Sequence, residues 1–158
     1  MEAIALGKTG KGLYLKPYKK GFGLFLAPFK SQKKLPITLP KHALTNIELY
    51  KYVKLLKIPF FRGVFMRNTL PISGPYLNEC GILNLDKAEG PGTHWTAYKK
   101  NGKNAIYFDS FGDLRPPTEL IQYLQSKGSC SIIYNHQNLQ SYNMINCGHL
   151  CLKFLYTI

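Results

Sequence analysis

GTHWTAYKKNGKNAIYFDSFG, from Gly92 to Gly112, contains two strand-like runs, THWTAYKK and NAIYFDSF, separated by NGK. An Asn-Gly pair suits the left-handed positions of a tight turn, so the stretch predicts an antiparallel hairpin. In such a hairpin His94, at the start of one run, and Asp109, at the end of the other, can face each other. Upstream, ECGILNLD (Glu79 to Asp86) is a third strand-like run, FFRGVFMRN (Phe60 to Asn68) reads as irregular and aromatic, and LPISGP supplies turn residues. TNIELYKYVKLLKI opens on Thr45 with Glu48 three residues later, a capping box, and predicts an amphipathic helix over 46–57 with apolar residues at Ile47, Tyr50, Leu55 and Leu56. Downstream, TELIQYLQS predicts a helix ending near Gly128, introduced by the prolines of RPP, and SCSIIYN a further strand. CGHLCLKFLYTI, apolar at Leu150, Cys151, Phe154 and Leu155, predicts a buried helix. Helix, strands, helix, strand and helix in this order give an α+β domain with a mainly antiparallel central sheet flanked by helices.

The chain has 158 residues, 45% of them hydrophobic, enough for one domain that buries about two-thirds of its unfolded surface. No apolar run approaches the roughly 18 residues needed to span a bilayer, and MEAIALGKTGKG lacks the apolar core of a secretory signal. A soluble, non-secreted protein is expected. Cys80, Cys130, Cys147 and Cys151 do not form the pattern of a small disulfide scaffold, so free thiols in a reducing compartment are expected.

The net charge is +13, and residues 1–41 hold nine lysines against the single acid Glu2. GLYLKPYK (Gly12 to Lys19) is echoed eleven residues later by GLFLAPFK (Gly23 to Lys30), each copy alternating large apolar residues and closing on a proline, as a short extended segment or edge strand does. Lysines interleaved with aromatic residues can follow a nucleic-acid backbone while rings stack on bases, or can lie on an anionic membrane; an arm that packs on the domain is the plainer alternative. Lys8, Lys11, Lys16, Lys19, Lys20, Lys30, Lys33 and Lys34 are the candidate DNA-binding residues. GKTGKG, from Gly7, lacks the spacing of a phosphate-binding loop. The chain therefore divides into a basic, aromatic arm with a linker over 1–41 and a folded domain over 42–158.

Two readings of the polar residues stay open at this level. His94 can be an ordinary satisfied histidine, Asp109 a turn residue, and Cys147 with Cys151 two small residues on a buried helical face. Alternatively Cys147 opens a helix whose N-terminus lowers the thiol pKa, His94 takes the proton, and Asp109 orients the imidazole. No metal site is expected, since Cys147 and His149 diverge on a helix and no second ligand pair at finger-like spacing exists.

The order His, Asp, Gln, Cys, with the flanks GTHW, YFDSFG and Gln140 seven positions before Cys147 in CG, resembles the adenovirus-type, adenain-like cysteine proteases. It resembles more distantly the SUMO-specific proteases of the same clan. FFRGVFMRNTLP and ECGILNLD extend the likeness upstream, so that it covers roughly His42 onward. The resemblance implies an adenain-like fold with the nucleophile at the N-terminus of a buried helix. It implies Cys147 as nucleophile, His94 as base, Asp109 in the acidic position, and Gln140 with the Cys147 amide as the oxyanion site. Trp95 would shield or underlie the imidazole, with plain core as the equal alternative for this single tryptophan, and Gly148 would let substrate approach. The implied activity is that of a cysteine endopeptidase cutting viral or transposon capsid or core precursors at glycine-containing sites, since relatives occur in adenoviruses, Polinton/Maverick elements and related small DNA viruses. Removal of ubiquitin-like modifiers, or DNA or membrane binding on a retained fold, are the alternatives. No cofactor is required for the chemistry, and the family adds stimulation by DNA, double-stranded in the viral case, or by a short basic peptide. A monomer is expected, in the virion and host nucleus if viral and otherwise intracellular.

Overall fold

The structure, a computed structural model, describes residues 15–17, 34–112 and 114–158. Its elements run β1 (Leu15–Pro17), α1 (Asn46–Leu55), β2 (Phe61–Met66), β3 (Asn78–Asn84), β4 (Trp95–Asn101), β5 (Asn104–Phe108), α2 (Thr118–Gln125), β6 (Ser131–Tyr134) and α3 (Cys147–Thr157). The strands form one mixed sheet in the order β1-β6-β5-β4-β3-β2. Its centre, β3-β4-β5, is antiparallel as expected, and the hairpin turns at Gly102 with φ 58°. The outer pairs β1-β6, β2-β3 and β5-β6 are parallel, and β5 leads to β6 by way of α2, the crossover a parallel pair requires.

The segment expected to be irregular, Phe60 to Asn68, instead forms edge strand β2, pairing in parallel with β3 through a register shift between Phe61 and Gly63. Only Gly63 of that strand is buried, so its sequence shows no alternation. The expectation for the first helix also changes. Its capping box is present, but Lys57 at φ 52° follows its end, and the buried stripe is Leu49, Val53 and Leu56, while Ile47 is 76% exposed and Tyr50 and Leu55 are exposed too. A core face at i, i+4 and i+7 is as regular as the stripe read from sequence, and packing decides between them.

Both faces of the sheet are covered. α1 and α3 pack on one face around Ile82, Ala97 and Phe108, where the Phe108 and Phe154 rings stack at 4.7 Å. α2 packs on the other around Leu83, Tyr98 and Tyr107, with Leu120, Ile121 and Leu124 buried beneath it. Leu35, Ile37 and Leu39 lie partly buried against the first core. The first copy of the repeat contributes β1, beside β6 at the sheet edge; its second copy and Lys8, Lys11, Lys19, Lys20, Lys30 and Lys33 lie outside the described residues, as does GKTGKG. Among the described residues no helix is long and apolar enough to cross a membrane.

Candidate active site

His94 immediately precedes β4 and Asp109 immediately follows β5, so the antiparallel register, with Ala97 opposite Phe108, brings both to one end of the hairpin. His94 is held there by its carbonyl, which accepts from the Leu85 amide at 3.0 Å. Asn84 gathers the preceding loop by accepting from Asp86 and Thr93 amides at 2.9 and 3.0 Å. α3 packs against β4 and begins at Cys147, which is partly buried, whereas Cys80, Cys130 and Cys151 are fully buried free thiols.

The His94 Nε2–H donates to Asp109 Oδ1 at 2.7 Å. That leaves Nδ1 for the hydrogen bond between His94 and the Cys147 thiol. Asp109 is completely buried, and its carboxylate also accepts the Phe111 amide on Oδ1 at 3.1 Å and the Leu114 amide on Oδ2 at 3.2 Å. Burial is the largest single influence on His94 and favours the neutral ring. The hydrogen bonds to Asp109 and Cys147, with the charges of both, outweigh it and lift the pKa to about 9. Burial is likewise the largest influence on Cys147 and opposes ionisation. Hydrogen bonds from His94 and from the Trp95 and Gly148 amides, with the imidazolium charge, bring its pKa below the ordinary thiol value. The two shifts act in one direction, both favouring a thiolate beside an imidazolium.

The other cysteines move the opposite way. Burial pushes Cys80 up to about 12, and burial raises Cys130 and, most of all, Cys151, whose thiol donates to the Trp95 carbonyl. His149 turns away from Cys147, with Nε2 on the Pro40 carbonyl at 2.6 Å. Among the described residues no group of three or more His, Cys, Asp or Glu is placed to hold a metal.

Gln140 is buried and linked to both arms of the site. Its Oε1 accepts from the hydroxyl of Ser110, next to Asp109, at 2.7 Å, and its Nε2 donates to the carbonyl of Met144, in the turn before Cys147, at 2.6 Å. That uses one of the two amide protons. No side chain caps the start of α3, where Asn146 is the N-cap. The first-turn amides, the helix's positive end, are thus left to whatever stands beside Cys147.

Trp95 packs against the core and its indole N–H donates to the Leu44 carbonyl at 2.9 Å; the ring parallel to the imidazole is Phe111, stacked at 4.4 Å and 18°. Phe111 in turn stacks on Tyr142 at 4.7 Å. Gly148 is buried with a hypothetical Cβ only 3.2 Å from the Leu44 Cβ, so close packing of the chain entering α1 accounts for glycine there. Of the lysines proposed for DNA, Lys34 is described and exposed, and Lys16 falls within β1. Sequence reasoning passed over Phe111, Ser110 and Asn135, the last of which bonds the Asp109 backbone. The first two lie within two residues of Asp109, and their polar or aromatic character within a turn was the only available signal.

No protein-family model and no curated protein matches the chain. Among solved structures, the crystal structure of selenomethionine-labelled ASFV pS273R protease aligns with a TM-score of 0.47 at 19% identity, over 74% of this chain and 58% of that one. The chain thus spans a little over half the length of that protein, and at this distance the likeness assigns no residue a role.

Proposed function

We propose that the chain is a cysteine endopeptidase whose nucleophile is Cys147, and the observation that carries this is the line Cys147, His94, Asp109 at the uncapped start of α3. The thiolate attacks the scissile carbonyl, and the Cys147 amide with the second proton of the Gln140 amide receives the developing oxyanion. His94, protonated at rest, gives its Nδ1 proton to the leaving amine, then takes one from the water that hydrolyses the thioester. Asp109 holds the ring in the orientation these transfers require. The resemblance read from GTHW, YFDSFG and the Gln140 to Cys147 spacing supports the finer assignment to the adenovirus type. It supports viral or transposon precursor proteins with small, glycine-containing cleavage sites as substrates. DNA stimulation through the lysine-rich arm belongs to the same reading.

The test uses fluorogenic Gly-Gly peptides, candidate capsid precursors and a ubiquitin-like thioester probe, each with and without duplex DNA, on wild type and Cys147→Ala. Cleavage of peptides and precursors by wild type alone is expected. Absence of both cleavage and thiol labelling under every condition would refute the enzyme, and labelling by the modifier probe alone would transfer the substrate class to ubiquitin-like proteins.

A further inference from the structure

We propose that Asn135 is a positioning residue that aims Asp109 at His94. The inference rests on the reading of Cys147, His94 and Asp109 as the reacting line. The backbone ladder between β5 and β6 ends with Tyr107 opposite Tyr134, two residues before Asp109 and one before Asn135. There the Asn135 side chain takes over from the ladder. Its Oδ1 accepts the Asp109 amide at 2.9 Å, and its Nδ2 donates to the Asp109 carbonyl at 2.6 Å and to the Gln137 carbonyl at 3.2 Å. Both donors and the acceptor are used, and the residue is only 2% exposed. A flipped amide would set donor against donor and oxygen against two carbonyls, so the orientation is determined.

The consequence falls on one residue. With the Asp109 amide and carbonyl both held, and the same carbonyl accepting the Gly112 amide at 3.0 Å, the backbone on either side of its Cα is set. The carboxylate is thereby directed to His94 rather than merely placed near it. None of these bonds reaches a reacting atom, so Asn135 acts through the backbone it holds, chiefly the two bonds to Asp109 and secondarily the one to Gln137. Removing its side chain leaves a buried N–H without its acceptor and takes one donor from the carbonyl, which the loop relieves by moving. A displacement near 1 Å at a catalytic group costs on the order of 100-fold in rate.

The experiment follows the rate of Cys147 alkylation by iodoacetamide from about pH 5 to about pH 9, with mass spectrometry locating the adduct and thermal melts confirming the fold. The proteins are wild type, Asn135→Ala, Asp109→Asn and the double variant. Wild type is expected to react well below the ordinary thiol range, and Asn135→Ala to lose about tenfold at about pH 6, the effect of one pKa unit. The double variant should react no more slowly than Asp109→Asn alone, because the two changes act on one contact. A purely structural Asn135 would lower the melting temperature and leave the pH profile unmoved, or would add to Asp109→Asn; either result overturns the proposal. If Asn135→Ala does not fold, Asn135→Ser at reduced temperature carries the comparison. If neither Asp109→Asn nor Asn135→Ala alters the profile, the catalytic reading itself fails and this inference with it, whereas a change in Asp109→Asn alone defeats only the inference.

Discussion

Asp109→Asn removes one buried negative charge while keeping the side chain's shape. The asparagine oxygen can face His94 Nε2 and the Phe111 amide, as Oδ1 does at 2.7 and 3.1 Å, but its NH2 then meets the Leu114 amide, where an oxygen now accepts at 3.2 Å. The ring stays hydrogen-bonded and loses its counter-charge. An opposite charge at this range shifts a pKa by about 1 to 3 units, so His94 should fall from about 9 into the range of an ordinary imidazole. With four histidines in the chain, ring-proton NMR against pH can follow His94 individually, its signal assigned by loss in His94→Gln. Because the folded-state value is raised, this contribution to stability is complete below the ordinary value of 6.5 and disappears as pH rises through about 9. The melting-temperature difference between wild type and variant should therefore be widest in mild acid and narrow toward about pH 9, leaving only the donor conflict at Leu114. His94 titrating near 6.5 in both proteins, with a constant stability difference, would refute the reasoning.

Two further substitutions probe what surrounds the site. Gly112 has φ 73° and a hypothetical Cβ 2.4 Å from backbone atoms of Gln137, so Gly112→Ala should cost at least about 1 to 2 kcal/mol and slow Cys147 alkylation by moving the Asp109 turn, read from urea melts and alkylation rates. Glu79 is buried at the far end of the β3-β4 pair from His94, beside the β4-β5 turn, and accepts the Tyr98 and Tyr123 hydroxyls on one oxygen, each at 2.7 Å. Tyr98→Phe removes one of these donors and should cost about 1 to 3 kcal/mol in a urea melt with Cys147 reactivity unchanged.

The central hairpin was legible because its signals are local: an Asn-Gly turn between two runs of suitable length, with Gly102 taking the left-handed turn position. His94 and Asp109 followed from it, since an antiparallel register alone brings the start of β4 beside the end of β5. Cys147 was legible as the residue opening an apolar helix. β2 was not, because a half-buried edge strand with a register shift and an internal glycine leaves no period to read. Leu56 was read onto the buried face of α1 and lies there, but the rest of that face was misplaced because Ile47, Tyr50 and Leu55 carry the same pattern signal as Leu49 and Val53, and only contact with α3 and the sheet separates them. Asn135 escaped notice for a similar reason. An asparagine closing a strand reads as a turn former, and its bonds to Asp109 span 26 positions of sequence.

The central claim, a reactive thiolate at Cys147, is tested most directly by substoichiometric iodoacetamide at about pH 6, with the four cysteines resolved by peptide mass spectrometry. Burial raises the pKa of Cys80, Cys130 and Cys151, while His94 and the neighbouring amides hold Cys147 down. The account predicts adduct on Cys147 alone, abolished as a fast phase by His94→Ala. Adduct spread over several cysteines, or a Cys147 that reacts only as pH approaches the ordinary thiol range, would contradict it.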